Sequence, residues 1–159
     1  MPITLLCVGR LKAGPERELF DRYWRRCQAA APSLGLGKLA YAEIRESKDR
    51  NAKTRKAEEG AQLLDMAPSD GCRIVLDERG DNVGTDRLVD ILSRQRDEAR
   101  PIAIMIGGPD GLDDKVRSDS TMVLSFGRMT LPHQLVRVLM AEQLYRVLSI
   151  MSGHPYHRV

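Results

Sequence analysis

Cysteine is scarce in this chain and badly spaced for either of its structural uses. Cys7, Cys27 and Cys72 are odd in number and scattered, with no Cys-x-x-Cys pair. That excludes a disulfide framework and a cysteine zinc site and leaves three ordinary reduced thiols. Long apolar runs are also missing. None approaches the ~20 residues needed to span a bilayer. No basic segment precedes the apolar run Ile3–Val8, which therefore reads as a strand, not a signal peptide. A cytoplasmic location is the resulting expectation. Charge of one sign is not in excess: 25 Lys and Arg face 22 Asp and Glu, a net charge of +3. Such a balance permits a nucleic-acid partner without demanding one. The glycine-rich dinucleotide fingerprint, the P-loop and the Gly-x-Ser-x-Gly nucleophile elbow are all absent. Nucleotide triphosphatase and serine hydrolase chemistry therefore have no support.

What is present is the make-up of one soluble domain spanning 1–159, with 42% hydrophobic and 30% charged residues. Strand and helix patterns alternate along it. Ile3–Val8 ends at Gly9 as a short buried strand, and Gly14-Pro15 makes a turn. From Glu16 to Ala31 the apolar residues Leu19, Phe20, Tyr23, Trp24 and Cys27 recur at helical spacing until Pro32. Lys38–Ile44 alternates as a second strand. Arg45–Lys56 is a mixed-sign run without apolar periodicity, read as a mobile loop before a helix ending near Met66. Its excess of Lys and Arg fits either a solvated face or a lip that contacts phosphate. Arg73–Asp77 is a third strand, Gly80–Gly84 a loop, and Thr85 the expected N-cap of the next helix. Pro101–Ile106 is continuously apolar, as a parallel strand buried on both faces requires. A short helix from Leu112 to about Asp119 and a strand at Thr121–Leu124 follow. The fold class is α/β with a mostly parallel sheet flanked by helices.

In open α/β sheets ligands bind beyond the carboxyl ends of strands. The ends concerned here are Leu76-Asp77, Gly107-Gly108-Pro109 and Ser125 to Pro132. All three histidines lie beyond them, in Gly127–Val159. The helix expected from His133 to Ser152 puts Glu142, Gln143, Arg146 and Ser149 on one face and is apolar almost everywhere else. A helix that apolar needs cover on most sides. In a single-domain chain the second cover is another subunit, so the expectation is a homodimer packed along this helix. Arg137 lies opposite the polar strip and needs a partner. It is either a structural arginine paired with an acid or a carbonyl, or a cation at a pocket floor. The tail His154-Pro155-Tyr156-His157-Arg158 is either a frayed end or an RNA pocket offering stacking, phosphate contact and proton transfer. No Asp, Glu or Cys accompanies its histidines, so no metal is expected.

Five segments together resemble a known family: Ile106-Gly107-Gly108-Pro109-Asp110-Gly111, Thr130-Leu131-Pro132-His133, Leu135-Val136-Arg137, Glu142-Gln143-Leu144-Tyr145-Arg146 and His154-Pro155-Tyr156-His157-Arg158. They are similar to the ribosomal large-subunit pseudouridine N3-methyltransferases, in the SPOUT class of S-adenosylmethionine-dependent RNA methyltransferases. The likeness covers the whole chain and is most specific in its last third. Asp110, Gln134 and the Gly127-Arg128-Met129 side chains depart from the usual pattern. The resemblance implies a deep C-terminal trefoil knot, which no local pattern would propose. It also implies a homodimer. S-adenosyl-L-methionine is expected against Leu76, Gly108, Gly127, Arg128, Met129, Thr130, Leu131 and Pro132. The implied reaction is methylation of N3 of a pseudouridine in large-subunit ribosomal RNA, recognised in the assembled ribosome. His133, Tyr156 and His157 are then expected to handle protons or stack on bases, and Arg137 and Arg158 to face anionic charge in the catalytic group. Arg146 and His154 are expected to contact substrate. Whether the tail serves its own subunit or its partner is left open. The competing expectation is a non-enzymatic α/β module that docks on RNA or the ribosome.

Overall fold

The computed structural model describes residues 1–158. Five strands, β1 (Ile3–Val8), β2 (Leu39–Ile44), β3 (Cys72–Asp81), β4 (Ile102–Ile106) and β5 (Met122–Leu124), alternate with α1 (Pro15–Ala30), α2 (Ala52–Met66), α3 (Thr85–Asp97), α4 (Asp114–Ser118) and α5 (His133–Met151). The strands form one sheet in the order β2-β1-β4-β3-β5, and every neighbouring pair is parallel. β4 sits at the centre and all five of its residues are buried. Its unbroken apolar run is what a strand covered on both faces needs.

The two faces are built by alternation along each strand. Ile3, Leu5 and Cys7 join Ile74, Leu76, Ile102, Ile104 and Ile106 under α1, α3 and α5. Leu6 and Val8 join Val75, Ala103 and Met105 under α2 and α4. Burial of each large apolar side chain here contributes ~1.5–3 kcal/mol. Phe20, Trp24 and Cys27 of α1 pack beside Val138, Ala141 and Leu144 of α5 within the first of these cores. Because all strands run the same way, all their carboxyl ends lie on one edge of the sheet, and that edge positions the site.

Three boundaries differ from the pattern in the sequence. α2 starts at Ala52, not after Lys56, because the Asn51 side chain caps it by accepting from Lys53 N–H at 2.8 Å and Thr54 N–H at 3.3 Å. The first turn is solvent-exposed and so carries no apolar period to announce it. β3 runs on to Asp81, where a register shift between Leu76 and Asp81 brings it back against Leu124. Gly80 permits this close approach, since a Cβ there would lie 2.7 Å from the Val123 backbone. Thr85 does not cap α3. Gly84 holds the cap position, and the Thr85 hydroxyl instead donates to Gln143 of α5 at 2.8 Å.

Candidate active site

The ends of β3, β4 and β5 enclose a cavity of about 570 Å³. Leu76, Ile106, Phe126, Met129 and Leu131 give it apolar walls. Gly107 and Gly108 bring bare backbone to its floor. A Cβ on Gly107 would meet the Gly111 backbone at 2.8 Å, and one on Gly108 would meet Val8 Cγ1 at 2.9 Å. The β4 loop is closed by Gly111 N–H donating to the Gly108 carbonyl at 3.0 Å. The β5 loop is set by Ser125, whose hydroxyl donates to the Gly127 carbonyl at 2.7 Å and accepts from Gly127 N–H at 3.0 Å. Gly127 has φ 133°, a conformation other residues rarely adopt.

Three acids line the same cavity, each differently held. Asp110 receives both arms of Arg55, at 2.7 and 3.1 Å. Asp77 accepts from Arg79 and Arg117. Burial alone would raise the Asp77 carboxyl, but the bonds and charge from those arginines outweigh it and hold it below the usual range. Glu78 accepts from the Thr130 hydroxyl at 2.8 Å, pinning the outer loop to β3.

Of the expected cofactor residues, Leu76, Gly108, Gly127, Met129, Thr130, Leu131 and Pro132 line the cavity. Arg128 does not, and its side chain is exposed. Glu78 was missed because β3 extends four residues beyond its expected end, and no local signal marks a register shift. Arg55 was missed as a support for the cavity because its acid lies 55 residues away.

His133, the first residue of α5, also lines the cavity. Burial, and then the Arg137 charge, hold its imidazole below the ordinary value of 6.5, against an opposing pull from Glu46. The ring is therefore neutral near neutral pH and free to accept a proton. Arg137 is not at the pocket floor. Its side chain is fully buried, and Nη2 donates to the carbonyls of Val8 at 2.5 Å and Gly9 at 2.8 Å. Nη1 donates to the Tyr41 hydroxyl at 3.0 Å and the Glu43 carboxylate at 3.2 Å. It ties the end of β1 to β2 and α5 and is not among the residues that line the cavity.

The tail is packed, not frayed. Tyr156 donates to Glu142 at 3.0 Å, and its ring lies 4.7 Å from that of Tyr145. The Arg146 guanidinium covers the Tyr156 ring at 4.9 Å, pairs with Glu142 and reaches His157 Nδ1 at 3.4 Å. Burial, then the bonds to Tyr23 and Glu142, raise the Tyr156 hydroxyl well above its ordinary value, so it stays protonated. His154 Nδ1 accepts from Tyr156 N–H at 3.2 Å, and Arg158 is exposed. The structure thus gathers Arg146, His154, Tyr156 and His157 in one cluster, folded back on α5 around Glu142 to Arg146 and apart from His133 at its start. At 1.5 Å rise per residue, Glu142 and Arg146, on which Tyr156 and His157 pack, lie ~14 and ~20 Å along α5 from His133. Among the described residues, no His, Cys, Asp and Glu side chains gather in threes as a metal site requires, and no helix is long and apolar enough to cross a membrane.

A doubly covered parallel sheet with a ligand-sized cavity at its carboxyl edge is the architecture of α/β proteins that hold a small organic molecule at strand ends. Residues 1–157 match the family described as "Predicted SPOUT methyltransferase". A protein named Ribosomal RNA large subunit methyltransferase H in Chelativorans sp. (strain BNC1) is 52% identical over 157 residues, which is 98% of this chain and 90% of the relative. Another of that name, in Rhizobium leguminosarum bv. trifolii (strain WSM2304), is 48% identical over 160 residues, covering 100% of both chains. The chain belongs to this family, the ribosomal RNA large subunit methyltransferases H of the SPOUT class. Among solved structures, a probable methyltransferase from Bordetella pertussis Tohama I superposes with a TM-score of 0.53 at 13% identity, over 92% of this chain and 95% of that one. A probable methylase family protein from Haemophilus influenzae Rd KW20 gives 0.52 at 14% identity, over 99% and 70%. At such identity these two speak to the fold alone.

Proposed function

We propose that this protein is an S-adenosylmethionine-dependent methyltransferase that modifies N3 of a pseudouridine in large-subunit ribosomal RNA, working as a homodimer. Family membership supports the methyl donor and the RNA substrate, and the cavity at the ends of β3, β4 and β5 fits the donor. Its apolar walls suit an adenine ring. The bare backbone of Gly107 and Gly108 offers peptide groups at close range, and Glu78, which no arginine pairs among the described residues, suits a cationic ligand. Bound there, S-adenosylmethionine supplies an electrophilic methyl group. The protein's own task is then to deprotonate N3, which is a poor nucleophile while its proton remains. His133 is the candidate for that proton: it lines the cavity and its neutral form is favoured. Tyr156 is disfavoured as a base, since its hydroxyl is already committed to Glu142.

The observation that carries the dimer is the separation of the two clusters by α5. Leu135 is 42% exposed and Leu139 39% exposed on the free face of that helix, an apolar strip one turn long next to the cavity. A two-fold axis across this face would run two copies of α5 antiparallel. The tail of one subunit, with His157 and Arg158, would then approach the cavity of the other. On this reading the substrate site is shared between subunits. The chain after β5 crosses back over the sheet to pack α5 on α1, a path that supports the family's trefoil knot. An rRNA substrate also puts the protein in the cytoplasm.

The deciding experiment supplies labelled S-adenosylmethionine and ribosomes lacking the modification, then maps the methylated nucleotide by mass. Label at N3 of one pseudouridine is expected. Label elsewhere, or in tRNA or protein, would replace the reading, and failure to bind S-adenosylmethionine by calorimetry would favour a docking module. Mixing a cavity-defective subunit with a tail-defective one tests the shared site, because heterodimers should regain activity that neither homodimer has.

A further inference from the structure

The β1 and β2 strands end on the same edge of the sheet as the cavity, and their loops differ sharply in charge from the rest of the chain. Residues 9–14 and 45–56 carry eight Lys and Arg against two acids. The whole chain carries 25 against 22, so everything outside these two loops has three more acids than bases. Bases outnumber acids four to one in these loops, where the chain as a whole is nearly balanced. Arg10, Lys12, Arg45, Lys48, Arg50 and Lys53 are all exposed. Among the described residues none of their side chains takes part in an ion pair.

The patch is also shaped and anchored. The β1 loop forms a concavity of about 410 Å³ lined by Arg10, Leu11, Lys12, Ala13 and Arg17. The loop is held open by Leu11 N–H donating to Glu43 at 2.8 Å and by Arg17 donating to the Leu11 carbonyl at 3.1 Å. The β2 loop is joined to the cavity rim by the two bonds from Arg55 to Asp110, and Arg55 also donates to the carbonyls of Asp49 and Arg50. One cation of the patch is thus used to lock the lip against the cavity, Lys56 is half-buried, and the other six face solvent.

We propose that the β1 and β2 loops form a phosphate-binding track for the RNA strand that leads to the cavity, with Arg10, Lys12, Lys48, Arg50 and Lys53 as its contacts. This rests on the proposed rRNA methyltransferase activity and assigns the surface that holds the substrate backbone. Contacts of this kind fix register and orientation and carry no sequence information, which suits an enzyme whose target nucleotide is chosen by the fold of the ribosome. They also release counterions, so the strength of binding falls with salt in proportion to their number.

The test uses the full-length protein and ribosomes lacking the modification, with Lys12, Lys48, Arg50 and Lys53 all replaced by alanine. Sedimentation binding across a salt series should give a shallower dependence of log affinity on log salt, by ~0.7 for each single-strand phosphate that is no longer neutralised and so by up to ~2.8. KM for ribosomes should rise about tenfold or more while kcat and the affinity for S-adenosylmethionine stay at the parent values. A variant that keeps the charges, Lys12→Arg/Lys48→Arg/Arg50→Lys/Lys53→Arg, should behave as the parent. An unchanged salt slope and KM in the alanine variant overturns the track. A parent protein that binds S-adenosylmethionine yet neither binds nor methylates ribosomes overturns the rRNA reading itself, and the track with it.

Discussion

Arg137 is among the largest fully buried side chains of the molecule. Its charge is tolerable only because four acceptors surround the guanidinium, two of them carbonyls 128 and 129 residues away in sequence. Arg137→Leu removes the cation and leaves the carbonyls of Val8 and Gly9 without that donor. The expected cost is ~3–5 kcal/mol of stability, read as a lower urea midpoint. Glu43 depends on the same group. Burial alone would raise its carboxyl, but bonds from Tyr41 and Leu11 N–H, with the Arg137 charge, bring it below the usual range. His133 behaves oppositely, because folding disfavours its charged form. Its folded value lies below 6.5, so the unfolded chain binds the proton more tightly. The contribution is complete above that value and is lost as pH falls through 6.5 toward the folded value. Urea midpoints taken at about pH 7.5 and about pH 5.5 should therefore drop further for the parent than for His133→Gln. An equal drop would show that His133 titrates normally. Arg137 was visible in the sequence as an anomaly on an apolar helix, but its partners were not, since nothing local names a carbonyl on β1.

At the scale of the element, the β4 loop and the tail carry the proposed site. Gly107→Ala places a methyl against the Gly111 backbone, which cannot rotate away as a side chain could. The loop must shift, and affinity for S-adenosylmethionine should fall about tenfold or more by calorimetry while circular dichroism stays that of a folded α/β protein. The tail gives the complementary case. His157→Ala/Arg158→Ala should abolish methyl transfer and leave S-adenosylmethionine binding nearly unchanged, because that cluster packs on Arg146, ~20 Å along α5 from His133, and does not line the cavity of its own subunit. Undiminished turnover in this double variant would remove the tail from the site. The strand-end loops were readable in advance because apolar runs stopped by glycine are local signals. The start of α2 and the extension of β3 were not. The first depends on a single capping asparagine in a charged run, and the second on a register shift made with another strand.

For the whole molecule, the question is what covers α5. Leu135→Glu/Leu139→Glu puts two charges on its free face, far from the core contacts with α1. By sedimentation velocity the parent is expected to be a dimer and the variant a folded monomer, inactive on ribosomes. A dimeric and active variant would place the subunit interface elsewhere. Side-chain period and glycine punctuation act over a few residues, so the strand and helix order, the parallel sheet and the three loops at strand ends are legible from the chain alone. The chain also holds the family likeness, carried by short segments of fixed spacing. Which of these segments meet is fixed by packing across the fold. The strand order β2-β1-β4-β3-β5 is set by packing between distant segments. It closes the β3, β4 and β5 loops into one cavity and puts the basic β1 and β2 loops beside it. The tail folds back on Glu142 and Arg146 of α5 and so stays apart from His133. A local pattern cannot encode those distances, since each is fixed by contacts between residues far apart in the chain.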